Sequence, residues 1–175
     1  MRQPLSEQER ATIYQYKLIA KKQFRKESIW SYLAIPVLIL IFQSVLYGWT
    51  GLVSWLLGAV FVQLIQLTIA LLTFKRTDDS SRRWIWRIQP PWIGLQPRLE
   101  CEFATFRKLH RHLLWLGLCV IAIIYPWAID PLLLSLICWH LWVLAPRILL
   151  TFLFRKHRPD GVIRLQQEEI AFYHR

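Results

Sequence analysis

One run of residues limits this chain more than any other feature. From Ser28 to Phe74 there are 47 residues without a Lys, Arg, Asp or Glu. A helix rises about 1.5 Å per residue, and a bilayer core of about 30 Å takes about 20 residues to cross. The run is therefore long enough for two crossings. Two glycines in Gly48-Trp49-Thr50-Gly51 favour a turn between them, which places one span over Ile29–Tyr47 and a second over Leu52–Phe74. A second apolar block runs from Leu113 to Phe154 and breaks at Tyr125-Pro126-Trp127-Ala128-Ile129-Asp130-Pro131. Proline supplies no N–H to a helix interior. The block thus divides into a span over Leu113–Tyr125, extended upstream by the helix that leads into it, and a span over Pro131–Phe154. Asp130 ahead of Pro131 is the expected N-cap. Soluble helices carry a polar face along their length, and these four segments do not. The expected class is an all-α integral membrane protein, its four transmembrane helices arranged as two tandem hairpins.

Charge sets the orientation. Of 22 Lys and Arg residues, 21 lie in 1–27, 75–112 and 155–175; the remaining one is Arg147, and the two short turns carry none. Basic residues in short loops stay on the cytoplasmic side, so both termini and the central loop are expected inside, in a multi-pass protein of the cell membrane. The chain then reads as a basic amphipathic helix (1–28), a first hairpin (29–74), a basic loop and lead-in helix (75–112), a second hairpin (113–154) and a cytoplasmic tail (155–175). The absence of Asn, with Arg outnumbering Lys 15 to 7, points to a bacterial membrane. The net charge of +11 is expected to meet anionic lipid headgroups. Nucleic acid is not an expected partner, because no motif for it accompanies the charge.

The halves resemble each other. Leu71-Leu72-Thr73-Phe74 recurs as Leu149-Leu150-Thr151-Phe152, and Arg87-Ile88-Gln89 as Arg164-Leu165-Gln166, at offsets of 78 and 77. Both hairpins point the same way, so an internal repeat would be parallel, with a pseudo-twofold along the membrane normal. Each unit would open on a basic amphipathic lead-in helix. In the first, Ser6 and Glu9 make a capping-box pattern; Lys17, Lys21 and Arg25 flank an apolar stripe through Ala11, Tyr14 and Leu18. In the second, Leu99, Phe103, Phe106, Leu109 and Leu113 form the stripe. Each unit would close on a small cytoplasmic β-hairpin: Trp84–Gln89 with Trp92–Leu95, and Val162–Leu165 with Ile170–Tyr173 after an Asp160-Gly161 turn. Trp84, Trp86 and Trp92 are expected to anchor the first at the membrane interface.

Nothing in the sequence assembles a catalytic centre, a metal site or a cofactor site. GxSxG, HExxH, Walker A and GxGxxG are absent. His110 and His112 are two apart and fall on different helix faces. Cys119 and Cys138 read as small apolar groups, and Cys101 lies between Glu100 and Glu102. Polar residues inside the spans are few. Gln63 and Gln66 share a helix face and suit interhelical hydrogen bonding. Arg147 lies about 10 Å inside the fourth span, counted from Phe154, with His140 two turns further on nearly the same face. Pro146 frees the carbonyl of Trp142, an acceptor that needs a donor. Two roles follow for Arg147. Its stem can snorkel to the cytoplasmic phosphates, or its charge can form an intramembrane anion site with His140, Gln63 and Gln66. The expected function is a non-catalytic membrane subunit or scaffold, binding a protein partner or a second copy of itself. The alternative is a homo-oligomeric transporter or channel component for an anionic substrate.

Overall fold

The computed structural model describes residues 17–23, 26–77, 84–90, 92–98, 100–155, 161–165 and 169–174. Most of it is helix, and four helices are long and apolar enough to cross a membrane. These are α1 (Lys26–Tyr47), α2 (Trp49–Thr77), α3 (Phe103–Ile124) and α4 (Asp130–Leu153). The first turn is tighter than its two glycines suggest. Gly48 alone separates α1 from α2, at φ 59°, and its N–H donates to the Ser44 carbonyl at 2.9 Å. Only this glycine takes the left-handed conformation that closes a helix C-terminus; Gly51 lies inside α2. At the second turn a 3-10 segment, Tyr125–Trp127, precedes Ile129, and Ile129 rather than Asp130 occupies the N-cap. The backbone at Ile129 is extended while Asp130 has already entered the helix, so the proline acts one position later than expected.

Six strands gather at the opposite end. They are β1 (Lys17–Gln23), β2 (Trp84–Gln89), β3 (Trp92–Pro97), β4 (Glu100–Glu102), β5 (Val162–Leu165) and β6 (Glu169–His174). β2 and β3 form a two-stranded antiparallel sheet, and the others form a sheet in the order β1-β6-β5-β4. Both expected β-hairpins are present. Within the stretch expected to form the N-terminal helix, the described residues Lys17–Gln23 are instead a strand, paired antiparallel with β6 from Lys17 opposite His174 to Gln23 opposite Glu169. Helical i,i+4 pairs stabilise by only tenths of a kcal/mol, whereas the edge of β6 offers a ladder of backbone partners along the whole segment. The Ser6–Glu9 capping pattern, Ala11, Tyr14, Arg25, Leu99 and Asp160 lie outside the described residues. The second lead-in helix starts at Phe103, after β4, and runs without a break into the stretch expected to be the third span.

The core is concentrated at the sheet end. Phe103, Phe106, Leu109 and Leu113 of α3, Leu144 and Leu150 of α4, and Ile69 and Phe74 of α2 pack there with Trp92, Ile163, Ile170 and Phe172 from the strands. The larger sheet is fastened to the helix ends. Phe172 stacks on Phe154 with ring centroids 5.3 Å apart and meets Phe103 edge-on at 5.7 Å, and the Phe103 N–H donates to the Gly161 carbonyl. A smaller cluster of Val62, Ile121 and Leu136 fills the bundle nearer the turns. α1 is peripheral. It touches α2 and α4, and it leaves Leu38, Ile41, Phe42 and Val45 uncovered.

Candidate functional site

Two prolines inside helices create the first polar arrangement. Pro36 in α1 leaves the carbonyl four residues earlier, Tyr32 O, without its helical donor. Pro146 in α4 does the same to Trp142 O. The structure brings these two residues face to face. Their rings stack with centroids 4.4 Å apart and planes at 8°. The Tyr32 hydroxyl donates to Trp142 O at 3.2 Å, and Trp142 Nε1 donates to Tyr32 O at 2.9 Å. Each aromatic residue thus supplies the donor that the other residue's proline removed. A second contact joins the same helices near the turns: the Ser135 hydroxyl lies 2.9 Å from Gln43 Oε1 and 2.7 Å from the Pro131 carbonyl.

Arg147 follows Pro146 and is 2% exposed. Its Nη2 donates to the carbonyl of Ile93 in β3 at 2.5 Å. Gly94, at φ 107°, lies directly beneath; a Cβ there would sit 3.1 Å from Nη2 and 3.4 Å from Nη1. The charge does not snorkel out of the protein. Helical side chains lean toward the helix N-terminus, which in α4 is the turn end, so the guanidinium leans away from the sheet end. The strand hairpin comes to meet it.

The helices around Arg147 can be placed by their close contacts. Gly117 of α3 is packed against the His140 ring, where a Cβ would come within 3.0 Å of three ring atoms. α3 and α4 are antiparallel, and helices rise equally. His110, seven residues before Gly117, therefore lies level with Arg147, seven residues after His140. On the other side Gly58 of α2 abuts Ser135, with a Cβ position 2.7 Å from the serine Cβ. α2 and α4 run parallel, which sets Gln63 level with His140 and Gln66 about one turn nearer the sheet end.

Hydrogen bonds define what these groups can still do. His110 Nδ1 donates to the Phe106 carbonyl at 2.7 Å, and His140 Nε2 donates to the Leu114 carbonyl at 3.3 Å. In a neutral imidazole the other nitrogen is then an acceptor. Among the described residues, five buried side-chain atoms have no hydrogen-bond partner: Gln63 Oε1, Gln66 Nε2, His110 Nε2, His140 Nδ1 and Arg147 Nη1. The four residues singled out from the sequence therefore all lie on the bundle interior with unused hydrogen-bonding capacity. No hydrogen bond links any two of them, and the interhelical bonds expected of Gln63 Oε1 and Gln66 Nε2 are not made. Among the described residues, no three of His, Cys, Asp or Glu gather as a metal site.

His110 and Tyr32 were not legible as members of this region. For His110 a signal existed. It stands seven residues after Phe103 and four after Phe106, so it continues their buried stripe. For Tyr32 the only signal was its spacing of four from Pro36, which matches that of Trp142 from Pro146. No protein family, no curated protein and no solved structure matches the chain.

Proposed function

We propose that the chain is a non-catalytic membrane subunit or scaffold of the cell membrane, with four crossing helices and both termini cytoplasmic. The observation that carries this reading is the engagement of Arg147. The one basic residue deep in a span binds the Ile93 backbone carbonyl and so ties the β2–β3 hairpin to α4. A group held this way serves to fix a cytoplasmic cap on the bundle. Pairing of β1 with β6 keeps both ends of the described chain together, which supports an even number of crossings. The lopsided distribution of basic residues favours the cytoplasm for that side, facing anionic headgroups, and the four-stranded sheet of the cap is the surface offered to a protein partner or a second copy. The tandem repeat gains support from Gly58 and Ser135, which meet at the 77-residue offset read from the sequence, as equivalent residues would across a pseudo-twofold axis.

A second reading, a homo-oligomeric transporter or channel component for an anionic substrate, is favoured by the five unpartnered buried atoms. Vesicles separate the two. The purified protein, reconstituted alone, is expected to carry phosphate, sulfate and chloride no faster than protein-free vesicles do. Flux well above that background, abolished by Arg147→Gln, would replace the scaffold reading with the transporter.

A further inference from the structure

The β2–β3 hairpin does not hang below the bundle; it climbs beside it. Two contacts fix its direction. At its foot Trp84 packs on Phe74, near the sheet end of α2, with ring centroids 5.2 Å apart. Further along, Ile93 and Gly94 meet Arg147, six residues before the end of α4, or about 9 Å up that helix. Trp92 and the Pro90 turn come next in the same direction. One face of the hairpin, with Trp92, Gly94 and Gln96, is buried against the helices. On the opposite face Trp84 is covered at the foot, but Trp86 is 37% exposed and Ile88 78% exposed. Ile88 pairs directly with Ile93, so the most exposed apolar residue of the hairpin stands at the level of Arg147. Of the three tryptophans expected at the interface, Trp84 and Trp92 belong to the protein core, and only Trp86 is open.

Among the described residues β2 is also an edge strand, with β3 its one neighbour in the sheet. Backbone groups on an open edge need partners, and in hydrocarbon each unmet group costs several kcal/mol. Arg87 pairs with Gly94 and so leaves β2 on the face that carries Trp92, Gly94 and Gln96, yet it is exposed at the outer margin of that face, and Lys75 and Arg76 are exposed at the adjacent end of α2. Arginine in the middle of an edge discourages pairing with a second copy, because it would bring like charges together. It suits phosphate, which accepts from guanidinium and backbone N–H alike. We infer that the β2–β3 hairpin re-enters the cytoplasmic leaflet, apolar face to the lipid, and that Arg87 and the open edge of β2 draw the phosphate of an anionic lipid inward toward the level of Arg147. This rests on the membrane reading above.

The experiment uses the full chain with its three cysteines replaced by serine and one fluorophore attached at Ile88→Cys, Val60→Cys or Glu100→Cys. The protein is placed in vesicles of phosphatidylcholine and phosphatidylglycerol, with a spin label in the headgroup, deep in the acyl chain, or on a water-soluble quencher. The label at position 60, on α2, is expected to be quenched by the deep lipid, and the label at position 100 by the aqueous quencher. The label at position 88 should be quenched most by the headgroup lipid, and more by labelled phosphatidylglycerol than by labelled phosphatidylcholine. Arg87→Gln should reduce that preference about fivefold. If the position-88 label behaves like the one at position 100, while the position-60 label reports deep lipid, re-entry is overturned and the membrane reading stands. Aqueous quenching at position 60 overturns the membrane reading itself. Shallow quenching at position 88 with no response to Arg87→Gln overturns the lipid-phosphate role.

Discussion

The reciprocal pair of Tyr32 and Trp142 makes a sharp energetic prediction. Tyr32→Phe keeps the ring and its stack but removes the donor to Trp142 O. The carbonyl cannot recover a helical partner, because the residue four positions on is Pro146. A hydrogen bond between membrane helices is worth about 0.6 kcal/mol on average and about 1.7 at most. The acceptor here is buried with no alternative donor, so the loss should fall near the upper half of that range, about 1 kcal/mol, or roughly a fivefold change in the unfolding equilibrium. Pro146→Ala restores an N–H at position 146 and lets Trp142 O close an ordinary helical bond. In that background Tyr32→Phe should cost almost nothing. The assay is a double-mutant cycle on reversible unfolding in mixed detergent micelles, where the coupling energy is read directly. Changes in bending caused by losing the proline appear on both sides of the cycle and cancel. Equal costs for Tyr32→Phe in the two backgrounds would show that the hydroxyl does not serve the carbonyl, and the argument would fail.

Other consequences follow from the same geometry. Gly94→Ala should destabilise by about 2–4 kcal/mol in the same unfolding assay, since the left-handed backbone penalises a side chain and the new Cβ crowds the guanidinium; no change in midpoint would refute the contact. Arg147→Lys should lose about 1–3 kcal/mol, the usual worth of a hydrogen bond from a charged group, and release β2–β3 to proteolysis, whereas a snorkelling arginine would be replaced by lysine without effect. Gly117→Ala should cost about 1–3 kcal/mol through overpacking against His140, and much of this should return in the double variant with His140→Ala. Thr50→Cys or Ala128→Cys should react with an impermeant reagent applied outside cells, and Gln167→Cys should not; the reverse pattern would invert the topology.

The helices were legible because apolar length and missing charge are local, additive properties, and the break points were legible because glycine and proline act on their own backbone. The strand at Lys17–Gln23 was not, because its reason lies in β6, about 150 residues away in the chain; taken alone, the segment reads as a basic helical stripe. The same distinction runs through the site. Arg147, His140, Gln63 and Gln66 stood out as polar residues in apolar surroundings. The partner of Arg147 could not be read, because a main-chain carbonyl carries no side-chain signature and any strand residue could have offered it. Gly94 takes a positive φ beneath the guanidinium, which only glycine adopts freely, but one glycine in a strand does not announce which group will approach it. Pro146 announced an unmet carbonyl, and Pro36 went unread; what the sequence withheld was that each carbonyl would be answered by the residue whose own carbonyl the other proline had exposed.

That reciprocity bears on how the chain is made. Tyr32 and Trp142 are 110 residues apart, so the first helix is synthesised well before its counterpart. At elongation rates of about 5–20 residues per second, the interval is roughly 5–20 s. On the membrane reading proposed above, α1 carries throughout this interval a carbonyl at Tyr32 whose eventual donor has not yet been made, and in hydrocarbon that group needs another partner meanwhile. Early residence at a wet or proteinaceous margin, such as the mouth of the insertion machinery, follows for this helix. On that reading the last helix to arrive supplies the missing donor, and a chain truncated before Trp142 should leave its first helix less stably seated in lipid.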